Sequence, residues 1–428
     1  MMKGAILGPV AVPVQGRDPS VDVEIPAKEF RESLSAWYRE HARELPWRGV
    51  NDPYATWLSE IMLQQTRVAT VIDRYGEFLL RFPKLSDLAN AEESQVLALW
   101  SGLGYYRRAR MLHRGAQFVV RELGGKLPRT AVELKTLPGV GAYTAAAIAS
   151  IAFGESVAVV DGNVERVLLR IMGLPEERTG KGRARVSRAA ASLVPAAAKR
   201  KARSNPPGDH NQAMMELGAT ICLPKSPLCL QCPVVAYCRT RGEHVTEPRE
   251  KQKSRVVAHL LALRKFGTET EVLLERRSME ASLMPGMLEL PPLPLDAVEG
   301  REPVLRVRHA ITNTNYYAQI FSEGAAGTTL AGDSHATADR DVERLSDPAA
   351  GDEDAEDDLE DELFVATDSE SRLFGGESSR SLLGEIPAAA GDLHWTPTRR
   401  LHELPLTGLA RKALQRLGVM QLRAVKIG

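Results

Sequence analysis

From about Ala27, apolar residues recur three or four positions apart, through Phe30, Leu34 and Trp37 and again through Trp57, Leu58, Ile61 and Met62. This spacing is that of one buried helix face. Asp52-Pro53 supplies a cap and a first-turn proline to the second of these helices. The same rhythm, punctuated by Gly and Pro, predicts helices over Ser94–Trp100, Tyr106–Leu123, Ala131–Leu137, Tyr143–Phe153 and Val164–Gly173. The front half is therefore mostly α. Beyond a charged stretch without apolar rhythm at 241–254, Val256–Arg264 and Glu271–Glu275 read as strands. Val304–Phe321 is also β-like, and a short helix is expected around Leu409–Leu417.

These patterns divide the chain into a loose leader at 1–26, a helical domain at 27–240, a linker at 241–254 and an α+β domain at 255–428. The last is interrupted at about 322–390 by Gly, Ala, Ser and acid, centred on the run from Asp352 to Asp358. That composition buries too little apolar surface to hold a fold, so the segment is expected to be a disordered, solvated insertion, or a tail for an unknown partner. Order should resume near Trp395.

At 428 residues, two domains of ordinary size are expected. No apolar run approaches the roughly 20 residues that a membrane helix needs, so no membrane segment is expected. Formal net charge is zero, yet residues 1–250 hold 34 basic against 26 acidic side chains, leaving the front half positive enough to meet nucleic acid. All four cysteines lie in one short loop, as Cys222, Cys229, Cys232 and Cys238. Such crowding argues for one local site rather than a disulfide framework, and suits a reducing compartment. Four thiolates can enclose tetrahedral zinc or an iron–sulfur cluster. The C-x6-C-x2-C-x5-C spacing has one knuckle and two longer arms, unlike the paired knuckles of a zinc ribbon.

Two further segments carry chemistry. Leu137-Pro138-Gly139-Val140-Gly141 lies between two predicted helices, where a Gly-rich turn can turn backbone N–H groups toward a phosphate at a helix N-terminus. That makes Gly139, Val140 and Gly141 candidate DNA contacts in a helix-hairpin-helix. In Val159-Val160-Asp161-Gly162-Asn163-Val164, Asp161 reads as an N-cap of the helix that follows.

The cysteine spacing resembles the iron–sulfur loop of the endonuclease III superfamily of DNA repair glycosylases. Trp57-Leu58-Ser59-Glu60-Ile61-Met62-Leu63-Gln64-Gln65-Thr66, Pro46-Trp47-Arg48, Leu103-Gly104-Tyr105-Tyr106-Arg107 and Asn211-Gln212-Ala213-Met214-Met215-Glu216-Leu217-Gly218 resemble the MutY family of adenine DNA glycosylases. The likeness covers residues 30–240 closely and 255–320 loosely. It implies a mostly α helix-hairpin-helix glycosylase domain with an iron–sulfur loop, followed by a smaller α+β Nudix-like domain. It also implies a 4Fe-4S cluster on Cys222, Cys229, Cys232 and Cys238, and action on duplex DNA holding adenine mispaired with 8-oxoguanine or guanine.

Carried onto this chain, the resemblance makes Glu60 the acid that protonates the adenine ring, for which its pKa must be raised by desolvation. Asp161 stabilises an oxocarbenium-like sugar, assisted by Tyr143 and Asn163. Gln65 and Tyr105 enter the stack, while Arg48 and Gln212 line the extruded base. Strand-cutting glycosylases need a lysine just after the hairpin; Tyr143 stands there, and no lysine occurs from Thr136 to Gly180, so hydrolysis without lyase activity is expected. Proline at 291, 292 and 294 replaces the Glu-rich metal helix of a working Nudix hydrolase. Where the family carries a Phe-Ser-His turn for the lesion, this chain reads Val307-Arg308-His309. His309 matches, and Arg308 could bond the acceptor edge of guanine. A monomer acting in the bacterial cytoplasm at the nucleoid is expected. A thymine-mismatch or oxidised-pyrimidine glycosylase on the same scaffold, or a non-catalytic iron–sulfur DNA-binding protein, are the rival readings.

Overall fold

The computed structural model describes residues 25–50, 52–175, 180–198, 205–244, 252–311, 313–323, 381–388 and 390–420. Its helices are α1 Ala27–His41, α2 Pro53–Met62, α3 Val68–Arg81, α4 Leu85–Ala89, α5 Glu93–Leu99 and α6 Arg107–Glu122. They continue as α7 Ala131–Leu134, α8 Ala142–Phe153, α9 Gly162–Met172, α10 Gly180–Leu193 and α11 Pro206–Thr220, with α12 Gly408–Arg416 near the end. The strands are β1 Lys253–Leu261, β2 Leu263–Phe266, β3 Glu269–Arg276, β4 Leu288–Glu289, β5 Pro292–Leu293, β6 Leu305–Ile311, β7 Thr314–Ser322 and β8 Asp392–Pro397. The described residues fall into two compact units, one within Met1–Ile61 and Phe118–Pro248, the other within Met62–Gln117 and Arg249–Gly428.

The first unit is helical. Its core joins Phe30, Leu34 and Trp37 of α1 to Val164, Val167, Leu168 and Ile171 of α9 and to Ala213, Met214 and Leu217 of α11. The alanines of α8 let that helix be buried nearly all round, from Thr144 to Ser150. Asn205 caps α11 through Gly208 N at 3.1 Å and donates to the carbonyls of Ser150 and Ile151 at 2.9 and 2.7 Å. It thereby ties the end of α8 to the start of α11. A Cβ at Gly208 would stand 2.4 Å from the Asn205 amide, so this close seat needs glycine.

The second unit joins α3–α5 and most of α6 to two sheets. One sheet runs β5-β1-β7-β6, with β1 and β7 parallel from Lys253↔Thr314 to Leu261↔Ser322 and β6 and β7 antiparallel. The other has β2, β3 and β4 in order, with β8 also pairing antiparallel to β3. Leu261, Leu274, Leu288 and Ile320 from the strands, with Leu290 just after β4, close a core with Leu409, Ala410, Ala413 and Leu414 of α12.

Most predicted helices form, with ends displaced by a residue or more. Four others, α3, α4, α10 and α11, had no place in the periodic reading. Helix α11 opens on Pro206-Pro207-Gly208, which reads locally as a loop; it is helical because Asn205 caps it and proline suits a first turn. The stretch Val304–Phe321 is two strands, and β1 begins at Lys253, inside the segment read as a linker. Order resumes earlier than Trp395: Leu382, from the segment read as a disordered insertion, is buried against Ala258, Leu260 and Phe321. The rest of that insertion at 324–380, the leader at 1–24 and residues 245–251 lie outside the described residues.

Candidate active site

Asp52 starts α2 as its sequence suggests, its Oδ1 accepting from Tyr54 N at 2.9 Å. From Tyr54 to Met62 every residue of that helix is buried, and Glu60, 5% exposed, lies inside rather than at an edge. A buried carboxyl without a partner would be costly. Here Tyr143, from the first turn of α8, donates its hydroxyl to Glu60 Oε2 at 2.6 Å. Burial pushes the Glu60 carboxyl up to about 7; the Tyr143 hydroxyl pulls it back, and the charge of Asp161 adds to the rise. The Tyr143 hydroxyl is itself pushed well above its usual range by burial and by Glu60, so it stays a donor. At neutral pH this site holds a carboxyl poised between its two protonation states beside a second carboxylate.

Asp161 is the N-cap of α9: its Oδ1 accepts from Val164 N at 2.7 Å and its Oδ2 from Asn163 Nδ2 at 3.1 Å. Tyr143, grouped with Asp161 on sequence grounds, takes Glu60 as its hydrogen-bond partner. The segment entering Asp161 is pinned by a residue given no role from sequence. Asn211 donates to Val157 O at 2.9 Å and accepts from Val159 N at 3.2 Å. Asn163 is fixed by Arg166, whose Nη2 donates to Asn163 Oδ1 and to Gly218 O, both at 2.8 Å. A Cβ at Gly218 would come within 2.6 Å of the Asn163 Cβ, so α11 passes directly over Asn163.

Arg166 also reaches the cysteine loop, its Nε donating to Cys222 O at 2.9 Å. One turn on, buried Arg170 donates to Cys222 Sγ at 3.4 Å, Leu223 O at 2.6 Å and Pro224 O at 2.8 Å. All four cysteines are half-buried free thiols, and Cys222, Cys232 and Cys238 pack against the core of the helical unit. Burial raises the thiols of Cys229 and Cys232, the latter to about 11; Cys232 responds to the other three sulfurs and Cys229 to those of Cys222 and Cys238. Among the described residues no three His, Cys, Asp or Glu side chains are grouped as the ligands of a metal ion.

Arg48 and Gln212 lie in this helical unit. Arg48 donates to Glu216 Oε2 at 2.6 Å and to Arg43 O at 2.7 Å, and lies over the Tyr38 ring. Arg43 grips the same carboxylate with Nε and Nη2, both at 2.8 Å. Burial favours the neutral form of Glu216, but the hydrogen bonds from Arg43 and Arg48 outweigh it and hold the carboxyl at about 2. Gln212 is half-buried on α11. In the hairpin, Gly139 has φ 77° and Gly141 caps α8. Val140 is buried and its N–H donates to Leu137 O at 3.1 Å, so its amide serves the turn itself. Gly141 stands at the N-terminus of α8, where a helix presents its first amides.

Gln65 and Tyr105 belong to the second unit, both exposed and both in the left-handed region, at φ 53° and 44°. A non-glycine residue held there is strained and persists only where its surroundings over-determine it. The surroundings here centre on Arg108, which the sequence reading passed over. Its guanidinium donates to Met62 O at 3.1 Å, to Gln64 O, to Thr66 Oγ1 at 3.0 Å and to Leu103 O at 2.9 Å. It also stacks over Trp100 and Tyr105. Burial lowers its pKa to about 10. One cation thus knots together the loops carrying Gln65 and Tyr105.

Val307, Arg308 and His309 lie within strand β6, as the β-like pattern of Val304–Phe321 predicts, where the resemblance implied a turn. Strand alternation therefore separates them: Val307 is buried, Arg308 exposed, and His309 lies on the side of Val307 against Gly408. Arg308 reaches Asn315 Oδ1 at 3.5 Å.

One helical unit thus joins a Gly-rich hairpin, a tyrosine just after it that hydrogen-bonds a buried glutamate from α2, and a capping aspartate. Residues 58–195 match the HhH-GPD superfamily of base excision DNA repair proteins. The chain is 50% identical over 221 residues to the adenine DNA glycosylase of Homo sapiens, a match covering 50% of this chain and 39% of that one. It is 41% identical over 239 residues to the adenine DNA glycosylase of Arabidopsis thaliana, covering 50% and 36%, and 34% identical over 227 residues to that of Buchnera aphidicola subsp. Schizaphis graminum, covering 52% and 63%. The chain thus spans less than two thirds of the length of these relatives. Among solved structures, a thermostable thymine-DNA glycosylase aligns with TM-score 0.45 and 29% identity, covering 50% of this chain and 96% of that one. Over its front half the chain is thus similar to the HhH-GPD superfamily of base excision DNA repair proteins and to adenine DNA glycosylases.

Proposed function

We propose that this protein removes adenine mispaired with 8-oxoguanine or guanine from duplex DNA, by hydrolysing the N-glycosidic bond without cutting the strand. The observation that carries the reading is the buried Glu60 carboxyl, hydrogen-bonded to Tyr143 at 2.6 Å and titrating at about 7. A proton donor for a purine nitrogen must hold its proton near neutral pH and yet give it up readily, and this carboxyl meets both needs. Protonation makes the base a better leaving group. As the bond breaks, Asp161, oriented by Val164 N and Asn163, faces the positive charge that develops on the sugar and guides water to it. Tyr143 stands where a lyase would need an amine, which supports hydrolysis alone.

In this reading Gln65 and Tyr105 fill the stack after extrusion, Arg48 and Gln212 line the extruded base, and the hairpin around Gly139, Val140 and Gly141 holds the phosphate backbone. A Nudix-like C-terminal domain reads the opposite base from β6 through His309 and Arg308. Cys222, Cys229, Cys232 and Cys238 supply the donor set for a 4Fe-4S cluster, with Arg170 donating to the Cys222 sulfur. Bound there, such a cluster would cross-link the loop, which Arg166 ties to Asn163 through Cys222 O. In this reading residues 27–240 carry excision and residues 255–428 carry recognition of the opposite base. The test is excision and mismatch binding by Glu60→Gln and Asp161→Asn. Both variants should bind an A·8-oxoguanine duplex while releasing no adenine. Normal turnover by either overturns the assignment, and activity confined to mispaired thymine or oxidised pyrimidines favours the rival glycosylase.

A further inference from the structure

The second unit contains a buried polar cluster that the chemistry above does not use. Ser101 Oγ and Tyr106 OH both donate to the carbonyl of Leu406, at 3.0 and 2.9 Å, and Arg411 Nε donates to Ser101 Oγ at 2.7 Å. Ser101, Tyr106 and Arg411 are all buried. One carbonyl with two lone pairs takes two hydroxyls, and the serine hydroxyl both gives and accepts, so each of these bonds uses complementary capacity. Burial pushes the Tyr106 hydroxyl above its ordinary range, which keeps it a donor.

Leu406 is itself fixed. Leu288 N donates to Pro405 O and Thr407 N to Leu288 O, both at 2.9 Å, which stitches this turn to β4. Thr407 caps α12 through Ala410 N at 3.1 Å and donates to buried Glu289 at 2.5 Å. The next residue, Gly408, lies so close under His309 that a Cβ there would meet Cε1 and Nε2 of the ring at 2.9 Å. One short turn therefore touches two places: the strand with His309, and the residues on either side of exposed, strained Tyr105. A further tie, Arg110 Nη2 to Pro285 O at 2.6 Å, fixes α6 to the same part of the unit.

We propose that the Leu406–Gly408 turn and Arg411 are a positioning device that sets the Tyr105 loop from the strand bearing His309, so that reading the opposite base and opening the stack are coupled. The idea rests on the assignment of Tyr105 as an inserting residue and of His309 as a reader. Neither Arg411 nor Ser101 nor Tyr106 touches substrate in it; they act through the loop. The physical basis is over-determination: a tyrosine in the left-handed region keeps one geometry only while its flanks are fixed, and two of those anchors are hydroxyls on a single carbonyl.

The full chain with Tyr106→Phe, Gly408→Ala and both together tests this, using duplexes in which 2-aminopurine replaces the mispaired adenine opposite 8-oxoguanine or guanine. Its emission rises on unstacking and reports extrusion whether or not the bond is later cut. Tyr106→Phe should slow extrusion about 3- to 10-fold, the worth of one hydrogen bond, with an unchanged pH profile for excision. Gly408→Ala should narrow the difference in extrusion rate between the two opposite bases, and the double variant should depart from the product of the single effects. Arg411→Met should slow extrusion and Arg411→Lys should restore part of it. Wild-type extrusion in Tyr106→Phe and Arg411→Met, or strict independence of the two sites, overturns the proposal. Extrusion without adenine release by the unaltered protein refutes the proposed excision instead, and leaves the coupling measurable.

Discussion

Replacing Glu60 by Gln should make the protein more stable and inactive at once. A carboxyl that titrates at about 7 when folded, against about 4.5 ordinarily, is held in its protonated form by the fold. At about 1.4 kcal/mol for each pH unit of separation, ionising it inside the protein forfeits on the order of 3 kcal/mol. The sign follows from the raised pKa: the contribution is intact below about 4.5, declines as pH rises, and is lost above about 7. Gln keeps the shape and an acceptor for the Tyr143 hydroxyl but never ionises. Urea unfolding of wild type and Glu60→Gln at several pH values between 4.5 and 8.5 reads the difference. The two should be close at the acid end, and the variant should gain up to about 3 kcal/mol at the alkaline end. A variant that is no more stable than wild type at pH 8 than at pH 5 refutes the buried, raised carboxyl.

Three other outcomes follow from the same geometry. Tyr143→Phe removes a hydrogen bond that favours ionised Glu60, so the alkaline limb of single-turnover excision should move up from near pH 7 by about one pH unit; movement downward contradicts the pairing. Arg108→Met should lower excision on duplex DNA by about tenfold or more through the loops of Gln65 and Tyr105, and Arg108→Lys should not rescue it, because an ammonium cannot reproduce the planar fork. Metal analysis of protein purified anaerobically should find iron with thiolate-to-iron absorption, lost together with stability in Cys232→Ser; stoichiometric zinc in its place overturns the cluster.

What the sequence made legible, and what it hid, follows the range of the interactions. Asp52 and Asp161 are visible as caps because a cap is a local event, three residues long. Glu60 stands out by its motif, but its complete burial does not: periodicity marks a stripe, while α2 is packed on every side. The Tyr143 partner lies 83 residues away, and no local pattern announces it. Arg108 sits beside Arg107 and Arg110, and nothing local announces that tertiary packing turns Arg108 and Arg110 toward distant carbonyls. Arg411 and Ser101 are 310 residues apart. Val307-Arg308-His309 lies in a stretch whose pattern reads as β-like, and its pairing with β7 makes it strand, whereas the resemblance implied a turn there. Leu382 shows the converse error: a short apolar patch, Leu382 with Ile386, docks where a sheet offers it a buried seat, although the composition around it is polar.

The central claim is that the Glu60 carboxyl delivers a proton to a mispaired adenine and so frees it. Chromatography for free adenine, after single-turnover incubation of the full chain with a duplex holding adenine opposite 8-oxoguanine, tests it most directly. The account predicts one adenine released per site, a strand that breaks only on later treatment with hot alkali, and a rate that falls as pH rises past about 7. Intact, metal-loaded protein that binds the duplex and releases no adenine at any pH would contradict it.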